Sequence, residues 1–408
     1  MLIAPKPAAH FAEGAIKELP GAVRATGADG AMIVTDAGLA ATPVLGTVAR
    51  ELAEAAIPVH VFSGVHPNPT TDDIAAGADA VAEVGARRVA LVAVGGGSPI
   101  DAAKGIAIAA VNPQRGRELD YRNAFSVPAL PIIAVPTTAG TGAETNAFGV
   151  VTDPAAHRKF YVGHASTMPA AAIGDPALTV GLPPSVTAAT GMDALTHALE
   201  SYLSLRPNSW SDGIDLQVIR LIAANLPRAC ADGADLDARH QMLLAAHMAG
   251  VAMANTGLGI CHAIGHALGG RWNIAHGVTL TMILPEVLRY NLPVRPERTA
   301  DVAFALGVGD TVASTERNAA AAIDAVAALR ETVGITARPA DFGVAEDDYP
   351  RIAADALDDE VLANTPRQPT AEDITAILAA RLPAIQRPAA SARGLPGRYG
   401  KLVPCQPR

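Results

Sequence analysis

Cysteine is scarce in this chain. Its three residues, Cys230, Cys261 and Cys405, are an odd number with no paired spacing in 408 positions. A disulfide framework is thereby excluded as the basis of the fold, and a reducing cytoplasm is the expected compartment. Aromatic residues are also few, at 4%, and alanine and glycine do much of the filling. Positive charge is in deficit: a net charge of −9 leaves no basic patch for nucleic acid. Long uninterrupted apolar runs are missing too. The most apolar stretch, roughly 245–270, contains His247, Asn255, His262 and His266, which suits a buried helix pair and not a membrane span. The opening MLIAPKPAAHFAEGAIKELP has neither a basic start nor a long apolar core, so no signal peptide is expected.

What is present reads as two domains, the natural expectation for a chain of 408 residues. The first part alternates short β-branched runs (31–36, 58–62, 88–97 and 131–137) with helix-patterned segments such as TPVLGTVARELAEAA and TTDDIAAGADAVAEVG, each opened by a threonine suited to N-capping. A hairpin, FGVVTD then RKFYVG, and a further strand at 171–175 complete it. The alternation predicts an α/β domain with a mostly parallel, Rossmann-like sheet over residues 1–180. From about Pro184 onward only amphipathic helical patterns follow, so an all-α domain is expected over 181–386. The remaining 387–408, rich in Pro and Gly, basic and without an acidic residue, reads as a flexible tail.

Two Gly-rich turns in the first domain end strands where open α/β sheets bind ligands. GGGSPIDAAK (95–104) follows an apolar strand and opens a helix, offering backbone N–H groups to a phosphate. It is not a G-x-G-x-x-G fingerprint, because Ile100 holds the last glycine position. PTTAGTGAE (136–144) is the second turn. Either alone is compatible with a structural turn; together they favour a nucleotide. Asp36 ends an earlier strand at the same sheet edge, where a carboxylate accepts from ribose hydroxyls and repels a 2′-phosphate, favouring NAD over NADP. The alternative is an ordinary aspartate in a strand-to-helix turn.

The second domain concentrates metal-capable side chains in apolar surroundings. Asp193 and His197 lie in GMDALTHALE, and His262, His266 and His276 in CHAIGHALGGRWNIAHG. The i, i+4 pairs share a helix face. Burying so many ionisable groups without a shared partner is costly. A divalent cation such as Fe(II) or Zn(II) offsets that cost for all of them, the competing arrangement being a buried Asp–His hydrogen-bond network. Cys261 reads as a small apolar filler, Glu200 as a cap or pairing residue on its own helix, and His10, His60, His66, His157, His164, His240 and His247 as surface or packing residues.

With GGGSPID, PTTAGTGAE, DPALTVGLPP, GMDALTHALE, the His-x3-His-x9-His-Gly block and NTPRQPTAEDITAIL all in order, roughly residues 10–382 resemble the iron-containing (group III) alcohol dehydrogenase family of the dehydroquinate synthase-like superfamily. The resemblance implies metal ligands at Asp193, His197, His262 and His276, with His266 a catalytic proton relay and not a ligand. It implies cofactor contacts at Gly95, Gly96, Gly97, Ser98, Asp101, Thr137, Thr138, Thr141, Lys159, Thr179 and Leu182. The implied activity is NAD-linked, metal-dependent interconversion of a short primary alcohol and its aldehyde, by an enzyme acting on CH–OH groups as a homodimer or larger homo-oligomer. Fe(II) is the favoured metal. Thr145-Asn146 replaces the family's usual Val-Thr, and Phe148 adds bulk beside the expected nicotinamide position; Phe148, Met253 and Ile260 are the expected pocket walls. The alternatives are an NADP-linked aldehyde reductase, a metal-dependent lyase or cyclase of the dehydroquinate synthase type, and a non-catalytic metal- or nucleotide-binding protein. A metal-dependent hydrolase would leave both Gly-rich turns unexplained.

Overall fold

Short β-branched segments of the first domain stack side by side because the inner ones are apolar on both faces and must be covered on both. In the computed structural model, which describes residues 7–156 and 158–380, they form one six-stranded parallel sheet in the order β1-β8-β5-β4-β2-β3. Its strands are β1 (Ala8–Phe11), β2 (Gly30–Asp36), β3 (Val59–Val65), β4 (Val89–Gly95), β5 (Ile132–Pro136) and β8 (Ala171–Gly174). Every residue of β4 and β5 is buried. Between β5 and β8 the hairpin β6 (Phe148–Asp153) and β7 (Arg158–Gly163) pairs antiparallel as a separate ribbon.

Helices α1 (Leu19–Ala25), α2 (Ala37–Ala40), α3 (Pro43–Glu54), α4 (Thr71–Ala80) and α5 (Gly97–Ala109) connect the strands. The two anticipated threonine caps are present: Thr42 Oγ1 accepts from Val44 N at 3.3 Å, and Thr70 forms a capping box with Asp73. Strand β1 was not anticipated. AAHF has one strand-favouring residue, and its place is set by parallel register against β8.

From Pro184 the described chain is helical. It runs through α6 (Pro184–Leu203), α7 (Ser209–Ala231), α8 (Leu236–Thr256), α9 (Ile260–Trp272), α10 (His276–Asn291), α11 (Pro296–Ala305), α12 (Thr315–Thr332), α13 (Tyr349–Leu357) and α14 (Ala371–Ala379). Together they share one apolar core. The expected flexible tail, 387–408, lies outside the described residues. Among the described residues no single helix is long and apolar enough to cross a membrane; α8 and α9, the apolar stretch, bend by 108° at their junction.

The two parts meet backbone to backbone at one point. The turn at Gly142 (φ +58) lies on α8 so closely that a Cβ on Gly250 would stand 2.5 Å from Thr145 Oγ1 and 2.8 Å from Gly142 O. Nearby, Glu144 Oε1 and His247 Nδ1 pair at 3.1 Å, both buried. His247 is thus a packing residue, as expected, with a carboxylate partner from the other domain.

Candidate active site

Helix α6 is almost wholly buried, so its polar residues have to find partners inside. Asp193 Oδ1 lies 3.4 Å from His197 Nε2, 3.8 Å from His262 Nε2 on α9 and 3.6 Å from His276 Nε2 at the start of α10. Asn273, in the left-handed region at φ +51, closes α9 and turns the chain so that His276 comes back toward His262. Donor atoms of Asp193, His262 and His276 all fall within 4.8 Å of one another. His197 is outside that mutual set; its ring stacks on His262 at 4.8 Å and 16°.

These distances suit a cation. Donors about 2.0–2.2 Å from a tetrahedral centre stand about 3.4 Å apart. Asp193 Oδ1 and His262 Nε2 are buried and have no hydrogen-bond partner among the described residues, which no hydrogen-bond network would leave so. Burial holds His262 well below the usual imidazole range, neutral as a ligand must be, and pushes Asp193 up, with His197 opposing.

Two carboxylates support the imidazoles from behind. Glu200 does not pair on its own helix as expected. Facing across to α9, it accepts from Gly259 N at 3.0 Å and Cys261 N at 2.6 Å, and its Oε2 lies 2.5 Å from His262 Nδ1. It caps the start of α9 and sets the ring of His262 in one contact. Burial pushes its carboxyl up to about 7, against the opposing hydrogen bonds from Gly259 and Cys261. His266 is held likewise, its Nδ1 2.7 Å from Asp359 Oδ2. Burial alone would raise Asp359; the bond from His266 keeps it below the ordinary carboxylate range. Nothing local marks these supports: Asp359 is 93 residues from its histidine.

The histidines open onto a cleft of about 780 Å³ between the two domains. Its other wall contains Gly97, Ser98, Asp101, Thr141 and Lys159 from the expected cofactor set. The remainder of that set stands behind or beside the cleft. Gly95 adopts φ +151, where a side chain would strike Pro99. Thr138 covers Gly96, Thr137 N bonds Gly95 O, and Thr179 Oγ1 bonds Pro176 O. Leu182 N bonds Thr179 O in the following turn. Asp36 caps α2, its Oδ1 accepting from Leu39 N at 2.9 Å. Asp101 accepts from Val150 N at 3.1 Å. Met253 and Phe148 line the cleft as expected, whereas Ile260 is fully buried in the helical core.

Asn68, Tyr121 and Glu360 are among the lining residues that were missed. Asn68, left-handed at φ +55 between two prolines, accepts from Lys159 Nζ at 2.9 Å. Tyr121 donates across the cleft to Glu360 Oε2 at 3.1 Å and meets Phe148 edge-on at 5.4 Å. The Pro-Asn-Pro run was a readable signal for the first; the Tyr121–Glu360 pair, 239 residues apart, had none.

Residues 6–176 match the model of the iron-containing alcohol dehydrogenases, and residues 187–382 match that of the C-terminal part of the Fe-containing alcohol dehydrogenase family. The chain belongs to this family. It is 38% identical to the NAD-dependent methanol dehydrogenase of Bacillus methanolicus over 91% of this chain and 97% of that one. It is 40% identical to the 1,3-propanediol dehydrogenase of Klebsiella pneumoniae over 90% and 95%. The crystal structure of a 1,3-propanediol oxidoreductase superposes with a TM-score of 0.89 at 38% identity, covering 93% of this chain and 99% of that one. This family is one of oxidoreductases, and membership sets aside the lyase, hydrolase and non-catalytic readings.

Proposed function

We propose that the protein interconverts a short primary alcohol and its aldehyde, with NAD as redox partner and one divalent metal, iron in preference to zinc. One observation supports this above all: three imidazole nitrogens surround Asp193 Oδ1 at 3.4–3.8 Å on one wall of a cleft whose other wall is the Gly97-Ser98 turn. Asp193, His262 and His276 would hold the metal, with His197 as the fourth ligand. The relatives named for methanol and 1,3-propanediol support a small substrate.

When bound, the metal would supply Lewis acidity for the substrate oxygen, and the nicotinamide would supply a hydride acceptor. The chain's own residues do the rest. Gly97 and Ser98, opening α5, present backbone N–H groups to the pyrophosphate. His266, steadied by Asp359 and 17% exposed, moves the alcohol proton toward solvent. Tyr121, Phe148, Met253 and Val361 exclude water from the reacting carbon. The cofactor domain is 1–180 and the metal domain 181–386; the cytoplasm and a homo-oligomer complete the proposal.

The decisive experiment combines elemental analysis of freshly purified protein with an alcohol panel read by NADH absorbance. One metal per chain and NADH formation with a short primary alcohol are expected. Turnover that survives complete metal removal overturns the reading. Asp36→Asn keeps the acceptor for Leu39 N while removing charge, and about a tenfold gain in kcat/KM with NADP is expected; no gain removes Asp36 from cofactor choice.

A further inference from the structure

Among the described residues the largest fully buried side chain is a lysine. Lys104 on α5 has no exposed surface, and a buried ammonium is tolerated only where its charge and its N–H groups are met. Its Nζ donates to Ala143 O at 2.8 Å, Asn146 Oδ1 at 3.1 Å and Phe148 O at 2.5 Å, with Asp101 Oδ1 at 3.7 Å. Three donors meet three acceptors, all drawn from residues 143–148. That segment forms the cleft wall through Ala143, Asn146, Ala147 and Phe148.

Asn146 is the informative member. Its Oδ1 accepts from Lys104 Nζ and from Phe148 N at 2.9 Å. Both partners can only donate here, so the amide's orientation is fixed by chemistry: an NH2 in that place would face two donors. The opposite edge, Nδ2, has no hydrogen-bond partner among the described residues and belongs to a residue lining the cleft.

We propose that Lys104 is a positioning residue that locks the Asn146 amide so that Nδ2 donates a hydrogen bond to an acceptor oxygen of the molecule bound in the cleft. This rests on the reading of the cleft as an alcohol and nicotinamide site. Two oxygens have the required chemistry: the carboxamide oxygen of the nicotinamide, and a second oxygen on the alcohol itself.

Asn146→Asp separates lock from donor, because the carboxylate still accepts from Lys104 and Phe148 N but has no N–H to give. Wild type and variant are compared for NADH Kd by fluorescence, and for kcat and KM with 1-propanol and 1,3-propanediol. A rise of about tenfold in KM for the diol, with 1-propanol and NADH within twofold of wild type, assigns the donor to a second substrate oxygen. A tenfold weaker Kd for NADH, with both alcohols affected equally, assigns it to the carboxamide. All parameters within twofold of wild type overturn the proposal.

Lys104→Met frees the amide and is expected to reproduce the Asn146→Asp pattern, the double variant adding less than twofold in binding. Wild-type binding in Lys104→Met overturns the lock; if that variant does not fold, Asn146→Asp decides alone. A wild type that binds NADH but oxidises no alcohol defeats the functional reading while leaving the NADH arm in force.

Discussion

The two walls of the cleft are built from different materials. The helical wall is a set of side chains: imidazoles and a carboxylate, two of the imidazoles, those of His262 and His266, held by carboxylates from elsewhere in the chain. At its two Gly-rich turns the α/β wall offers backbone instead, the glycines letting Thr138 and Thr141 settle against Gly96 and Gly97. Side chains that concentrate charge need support against burial; backbone donors at a helix start are already aimed. Substitutions on the helical wall should therefore cost more than equal changes on the other.

The largest effect is expected from His276→Ala, or from chelation of the wild type. Bound metal should be lost and kcat/KM should fall by ~10³ or more, read by elemental analysis beside NADH formation. NADH binding by fluorescence should survive, because the α/β wall is intact. Simultaneous loss of NADH binding would mean that the walls are not independent.

Asp359→Asn comes next. It removes the charge that holds His266, so kcat should drop by about 10² with metal content unchanged. A variant that keeps full kcat would show that His266 needs no anchor. For Glu200→Gln, metal affinity should weaken by about 10–100-fold in a chelator competition, while kcat at saturating metal changes less than for Asp359→Asn. The order of these two tests whether Glu200 serves the ligand and Asp359 the proton.

How much of this was legible beforehand follows the same division. The pairing of Asp193 with His197 on α6 and of His262 with His266 on α9 was readable because i, i+4 pairs leave a sequence trace, as were the threonine caps and the β6–β7 hairpin. Supports were not: Asp359 and Glu200 act across 93 and 62 residues, and a tertiary contact writes nothing local. Glu200 was read as pairing along its own helix because only near neighbours are visible in one dimension. Strand β1 escaped for a similar reason, its place being set by β8 and not by its own residues. On the α/β wall the turns were evident, but which of their residues face the cleft was decided by packing: Thr141 does, and Thr138 is spent covering Gly96.

The smallest expected effect lies behind the metal wall. Asp215 is fully buried, its Oδ2 accepting from Ser201 Oγ at 2.6 Å while Oδ1 has no partner among the described residues. Burial holds its carboxyl well above 3.8, with the Ser201 bond opposing. A raised carboxyl pKa means that the native state binds the proton more tightly than the unfolded one. This contribution to stability is full below about 3.8 and declines as pH rises toward the native value. Asp215→Asn removes the decline, so Tm at pH 8 should rise by roughly 2–4 °C, with little change at pH 4. A fall at pH 8 would show that Asp215 is charged in the native state.

The contact between Gly142 and Gly250 gives the cleft a mechanical stop. Two backbones rest on each other beside the buried Thr145 hydroxyl, so the approach of one wall to the other ends at a surface with little room to adjust. The gap across which a hydride must jump is therefore gauged far from the jump itself. A single methyl group at position 250 would act as a shim, widening that gap without touching a ligand, a phosphate or a proton.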